Sequence, residues 1–136
     1  MSKTVIPVAR IALAAALIFT LYAAFVPTPD APSFLPWDKA SHFAAFFVLA
    51  ILAALAFPST RLLNIALALS VLGASIEVVQ GLPAVHRDLD VMDWLVDTVT
   101  VAAAFWPGMV HTARARLRQN AGDASLAPAR SRADTL

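Results

Sequence analysis

The sequence predicts an all-α fold: a four-transmembrane-helix bundle with short loops and a disordered C-terminal tail. Three observations lead there. Hydrophobic residues make up 60 % of the 136-residue chain and charged residues 14 %, against roughly 45–50 % and about 25 % in soluble domains. The apolar residues gather into four stretches close to the roughly 20 residues a helix needs to cross a hydrocarbon core about 30 Å thick. Proline- and glycine-bearing separators divide them, and no period-two alternation competes with helix. A mean hydropathy of +0.73 excludes a disordered chain. With no cysteine, a disulfide scaffold, thiolate catalysis and cysteine-ligated metal sites are excluded. A net charge of +1 supplies no field to gather nucleic acid.

The first span covers about residues 8–26 and carries no charge from 11 to 26. A soluble bundle would need a charged face there. A cleaved signal peptide is the rival for this segment, with Lys3 and Arg10 as its basic start, but no clear Ala-x-Ala site follows. Prolines at 27, 29, 32 and 36 close it. The second span covers about 40–57 and stops at Pro58-Ser59. The third covers about 62–80 and stops at Gly81 and Pro83. Within it Ala66, Ser70 and Ala74 give a small-xxx-small face for close helix packing, and Asn64 is an interhelical polar contact. The fourth covers about 91–111. Residues 1–112 thus read as a membrane domain. Residues 113–136 are mostly Ala, Arg, Ser and Asp, with too little apolar surface to bury, and read as a disordered cytoplasmic tail.

Basic residues set the orientation. With four spans, Lys3, Arg10, Arg61, Arg114, Arg116, Arg118, Arg130 and Arg132 fall on one side, and only Lys39 and Arg87 on the other. Both termini are therefore expected in the cytoplasm, with loops 27–38 and 81–90 outside. Trp37 and Trp94 would mark the outer interface and Trp106 the inner one. Arg10 snorkels to the inner interface, and the arginines after the fourth span rest on anionic headgroups.

Ionisable residues are costly inside a membrane and mark function or pairing. Here they gather at one level. The second span opens with Asp38, Lys39 and His42, the third ends with Glu77 and Gln80, and the fourth opens with Asp90, Asp93 and Asp97. Their spacings of three, four and seven put each set on one stripe of its helix. Glu77 lies near a helix C-terminus, where the dipole opposes its charge. It should be protonated or held by Lys39, His42 or Arg87. Asp93 lies in a first turn, where capping is the plain alternative. Asp97 is a full turn deeper and needs a buried partner, Arg87 or His42. Asp38 is a candidate N-cap.

The order Asp38-Lys39-x-x-His42-Phe43 with Phe46 and Leu49, then Glu77-x-x-Gln80, Arg87, Asp93 and Asp97, resembles the VanZ-like membrane family. The match spans about residues 36–105. After Asp97 this chain has Thr98-Val99-Thr100-Val101-Ala102, where the family pattern has a glycine-rich run. The resemblance implies a bacterial inner-membrane protein acting at the cell envelope. The family is named for a protein associated with low-level resistance to the glycopeptide teicoplanin.

Two functional classes follow. In the first, Asp38, Lys39, His42, Glu77, Gln80, Arg87, Asp93 and Asp97 bind a lipid headgroup, a lipid-linked envelope precursor or a glycopeptide-type compound. Lys39, His42 and Arg87 supply charge-assisted donors. In the second, the chain is a small intramembrane enzyme on a lipid-linked phosphate or sugar, with His42 and Glu77 or Asp93 as acid–base pair and Arg87 stabilising developing charge. No H-E-x-x-H or G-x-S-x-G motif is present, so no recognised catalytic motif supports the second class. No cofactor or nucleic-acid partner is expected and no metal ligand is assigned, although under the second class a carboxylate–His group could hold a divalent cation. Membrane lipids are the expected partners, along with a second copy or another membrane protein. The bland alternative is a structural or accessory subunit whose polar cluster only joins helices.

Overall fold

The elements of the computed structural model are four helices: α1 Val5–Phe25, α2 Asp38–Ala56, α3 Leu62–Gln80 and α4 Val91–Ala133. The structure describes residues 4–26, 38–85 and 89–133, but not the side chains of Asp38, Arg116 and residues 120–133. The expectations for Lys3, Trp37 and Arg87, and for the side chains of Asp38, Arg116, Arg130 and Arg132, lie outside that set. Among the described residues there is no strand.

The helix ends follow from local chemistry. Val26 turns extended, with φ −69° and ψ 137°, because Pro27 disfavours a helical residue before it. Its N–H still donates to the Tyr22 carbonyl at 3.0 Å. α2 stops before Pro58, with the Phe57 N–H on the Ala53 carbonyl at 3.0 Å. α3 ends at Gly81, whose N–H reaches the Glu77 carbonyl at 3.0 Å. α4 opens on Asp90, whose Oδ1 accepts the Met92 N–H at 2.8 Å. That is an N-cap bond.

The disordered tail is a correction: α4 continues through residue 113 to Ala133. Alanine, arginine, leucine and glutamine are strong helix formers. An established helix also propagates far more cheaply than a new one nucleates. Composition showed that the tail has nothing to bury, but not that it follows a ready-made helix.

Among the described residues three helices are long and apolar enough to cross a membrane, over Val5–Phe25, Lys39–Ala56 and Leu62–Gln80. The start of α4 carries Asp93, Asp97, Thr98 and Thr100, and α4 is not among the three. The described chain forms two compact units, residues 1–105 and 106–136. In the first, α1 packs on α2 and α3, and α2 on α3. The start of α4 joins α2 and α3 through the polar bonds described below. The second unit is the remainder of α4. Its Thr112 hydroxyl returns a bond to the Gly108 carbonyl at 2.8 Å.

Burial in the first unit departs from that of a soluble protein at both extremes. Ile11, Ile18 and Val71 are exposed at 72 %, 68 % and 65 %, while Asp97 is at 0 %. Large exposed apolar side chains on long helices suit lipid, not water. The inward stripes are regular. Phe46, Leu49, Ala50, Ala53 and Ala56 face in from α2, and Ile65, Leu69, Gly73, Ile76, Glu77 and Gln80 from α3. These are the i, i+3, i+4 spacings of one helix face.

Candidate functional site

α2, α3 and α4 alternate in direction, so the N-terminus of α2, the C-terminus of α3 and the N-terminus of α4 meet at one end. That end is where the polar stripes fall. Lys39 Nζ donates to Asp90 Oδ2 at 2.7 Å and to Asp93 Oδ1 at 2.9 Å. One turn deeper, His42 Nδ1 lies 3.2 Å from Asp97 Oδ1. His42 Nε2 lies 3.8 Å from Asp93 Oδ2. Glu77 Oε2 accepts the backbone N–H of Asp90 at 3.0 Å, tying the end of α3 to the start of α4.

The partner of Asp97 is thus His42, one of the two groups expected. The backbone makes room for it. A Cβ on Gly73 would stand 3.0 Å from Asp97 Oδ2 and 3.4 Å from Phe46 Cζ, so α3 approaches α4 closely because residue 73 has no side chain. Small-residue spacing points to Ala66, Ser70 and Ala74 as the close-packing face, whereas the close approach to Asp97 falls at Gly73. Of those three, Ser70 bonds across to α4. Its Oγ pairs with Thr98 Oγ1 at 2.9 Å, and the Trp94 indole N–H donates to the Ser70 carbonyl at 3.2 Å. Trp94, expected as an interface marker, therefore fastens α4 to α3. Asn64, expected as interhelical glue, is exposed at the start of α3, with no side-chain hydrogen bond among the described residues.

Three further expectations are revised. Lys39 does not hold Glu77, because its described bonds go to Asp90 and Asp93. Asp93 does not cap α4, because Asp90 does, and Asp93 is left to serve Lys39. Gln80 sends its Nε2 proton to the Ala24 carbonyl of α1 at 3.0 Å, one of the carbonyls a helix end leaves without an internal partner. Asp38 is the first residue of α2.

Asp90, not among the expected binding residues, joins the cluster by accepting from Lys39 and from the Met92 N–H. The signal was legible: Asp90-x-x-Asp93 directly before an apolar run is a helix-start pattern. Asp90 stands before α4, and the Lys39 ammonium bonded to it holds its carboxyl below the ordinary aspartate range, helped by the Met92 N–H.

The described cluster places four carboxylates, on Glu77, Asp90, Asp93 and Asp97, against the Lys39 ammonium and the His42 imidazole. The acids fix both basic groups: two on Lys39, and Asp97 on His42. An imidazole anchored through Nδ1 to a buried carboxylate has a set ring orientation and tautomer. The cluster reaches the exterior through Lys39 and Asp90, whose side chains are 26 % and 46 % exposed, while that of Asp93 is 9 % exposed.

Two apolar grooves lie elsewhere. One, about 310 Å³, is lined by α1 and α2 residues including Val8, Ala12 and Leu52. The other, about 370 Å³, is lined by α1, α2 and α3 residues including Leu17, Ala53 and Ile65. Neither includes a cluster residue. No known protein family, curated protein or solved structure matches the chain.

Proposed function

We propose that this chain is a VanZ-like protein of the bacterial inner membrane, with four spans and both termini in the cytoplasm. On this reading its polar end faces outward and binds an oxyanion-bearing headgroup of a lipid-linked envelope precursor or an envelope-active compound. The fourth span is the start of α4, whose acids are satisfied within the bundle and so are not presented to lipid. The distribution of basic residues supports the orientation. One observation carries the binding reading. Lys39, positioned by Asp90 and Asp93, is the described basic side chain at the open edge of the cluster, where a headgroup would arrive. Its ammonium has three protons, and two go to these acids.

The test uses the purified chain in nanodiscs, with a polyprenyl phosphate as probe and phosphatidylcholine as control, read by native mass spectrometry. A charge-assisted bond is worth about 1.5–3 kcal/mol, so Lys39→Gln and Arg87→Gln should each weaken retention of the phosphate about tenfold or more. Retention unchanged in both variants contradicts the reading.

The second reading, an intramembrane enzyme on the same headgroups, draws on one specific feature. The buried Asp97 orients His42 so that Nε2 stands beside Asp93, an arrangement suited to acid–base work. Turnover of a lipid-linked phosphate by the wild-type chain and its loss in His42→Ala would favour this reading. Turnover retained in His42→Ala removes it.

A further inference from the structure

Glu77 is 4 % exposed. Its Oε2 takes the Asp90 N–H, while Oε1 is buried without a hydrogen-bond partner among the described residues. A buried acceptor left unpaired costs about 1–3 kcal/mol, more when it is charged. The side chain belongs to a group with a definite geometry. One ligand atom each of His42, Glu77 and Asp93 lies within 4.8 Å of the other two. In a tetrahedral site with bonds of about 2.1 Å, any two ligands on the ion stand about 3.4 Å apart. The 3.8 Å between His42 Nε2 and Asp93 Oδ2 is within a few tenths of an ångström of that separation.

The surroundings also match a metal centre. A metal-bound histidine usually gives its other ring N–H to a carboxylate, which fixes the ring. Here His42 Nδ1 stands 3.2 Å from Asp97 Oδ1, and Asp97 is fully buried. The charge balance points the same way. Among the described residues four carboxyl groups, on Glu77, Asp90, Asp93 and Asp97, face one ammonium, so the cluster is rich in oxygen donors and short of cations. A divalent cation would balance carboxylates gathered here, in a setting where unbalanced charge is expensive. Asp93 can serve both groups, with Oδ1 on Lys39 and Oδ2 toward His42.

We infer that His42, Glu77 and Asp93 form a site for one divalent transition-metal ion, of the zinc or manganese type, with Asp97 positioning His42 from behind. One imidazole and two carboxylates suit these ions, and the absence of sulfur ligands disfavours soft copper(I). Three protein ligands leave coordination positions open for water or a ligand oxygen. The inference is independent of headgroup recognition, because it is measured with no lipid ligand present.

The experiment uses the full chain, purified in detergent without a polyhistidine tag, stripped with chelator and titrated with Zn²⁺ or Mn²⁺. The expected result is one equivalent bound, by calorimetry and elemental analysis. His42→Gln and Glu77→Gln should abolish uptake. Asp97→Asn, which acts through His42, should weaken it about 10–100-fold and change the imidazole signature in metal-edge X-ray absorption. No stoichiometric uptake by the folded wild-type chain overturns the inference, as does uptake unchanged in both His42→Gln and Glu77→Gln. Should either variant fail to fold, the loaded wild-type chain decides alone. An imidazole nitrogen with oxygen ligands in its absorption spectrum supports the site, and an all-oxygen shell refutes it.

Discussion

At one end of the first unit a single arginine closes a helix. Arg10 of α1 gives its Nε proton to the Ala56 carbonyl at the end of α2, at 3.2 Å, and its guanidinium lies 5.5 Å from the centre of the Phe57 ring. At the other end, Lys39, His42, Glu77, Asp90, Asp93 and Asp97 are drawn together from three helices. Both ends must satisfy backbone groups that a helix terminus leaves over. The Arg10 end does so with one long side chain. The other end also has its closures, Asp90 on Met92, Glu77 on the Asp90 N–H and Gln80 on Ala24. Lys39, His42, Asp93 and Asp97 are surplus to capping. Surplus buried charge is what a membrane bundle avoids unless the charge has work to do.

The comparison is broken or sharpened by removing equivalent groups at the two ends. Asp97→Ala should have the largest effect, a loss of about 3 kcal/mol in folding stability in detergent. It withdraws the carboxylate from His42 and leaves a buried pair half made. Gly73→Val comes next, at about 1–3 kcal/mol, because its side chain meets Asp97 Oδ2 and the Phe46 ring. Its shift should appear in the His42 ring resonances as well as in the melting temperature. Arg10→Ala, at the simple end, should cost below about 1 kcal/mol. A cost equal to that of Asp97→Ala would erase the distinction between the ends.

The smallest effect is one of pH. The Asp90 carboxyl is depressed by Lys39, so its contribution is complete above the ordinary aspartate pKa of about 3.9 and is lost as pH falls through the folded value. Wild type should therefore lose more melting temperature on acidification below about pH 4 than Asp90→Asn, which keeps the cap but not the charge. Parallel curves would show that the Lys39–Asp90 pair contributes nothing.

Hydropathy made the helices legible because breakers separate them. The third span was expected at 62–80 and α3 is Leu62–Gln80, while α2 starts at Asp38 where 40 was expected. Helical spacing made each polar stripe legible, since residues three and four apart share a face in any helix. Which stripe residue meets which across the bundle was not legible. That depends on rotation and separation of helices, and here on Gly73 letting α3 close on Asp97. For the same reason spacing leaves Lys39 among three candidate partners of Glu77 and places Gln80 with the acids. The length of α4 escaped for a different reason: propensity alone is a weak signal until a neighbouring helix supplies the nucleus.

The measurement that bears most directly on the convergence of separate helices is a double-mutant cycle between His42 and Asp97, made with His42→Ala, Asp97→Ala and the double variant in one membrane mimetic. Groups in contact couple by about 0.5–3 kcal/mol. The distance of 3.2 Å and the burial of Asp97 predict a coupling of about 1 kcal/mol or more. Simple additivity of the two single substitutions would mean that α2 and α4 do not meet at this level, and would contradict the account.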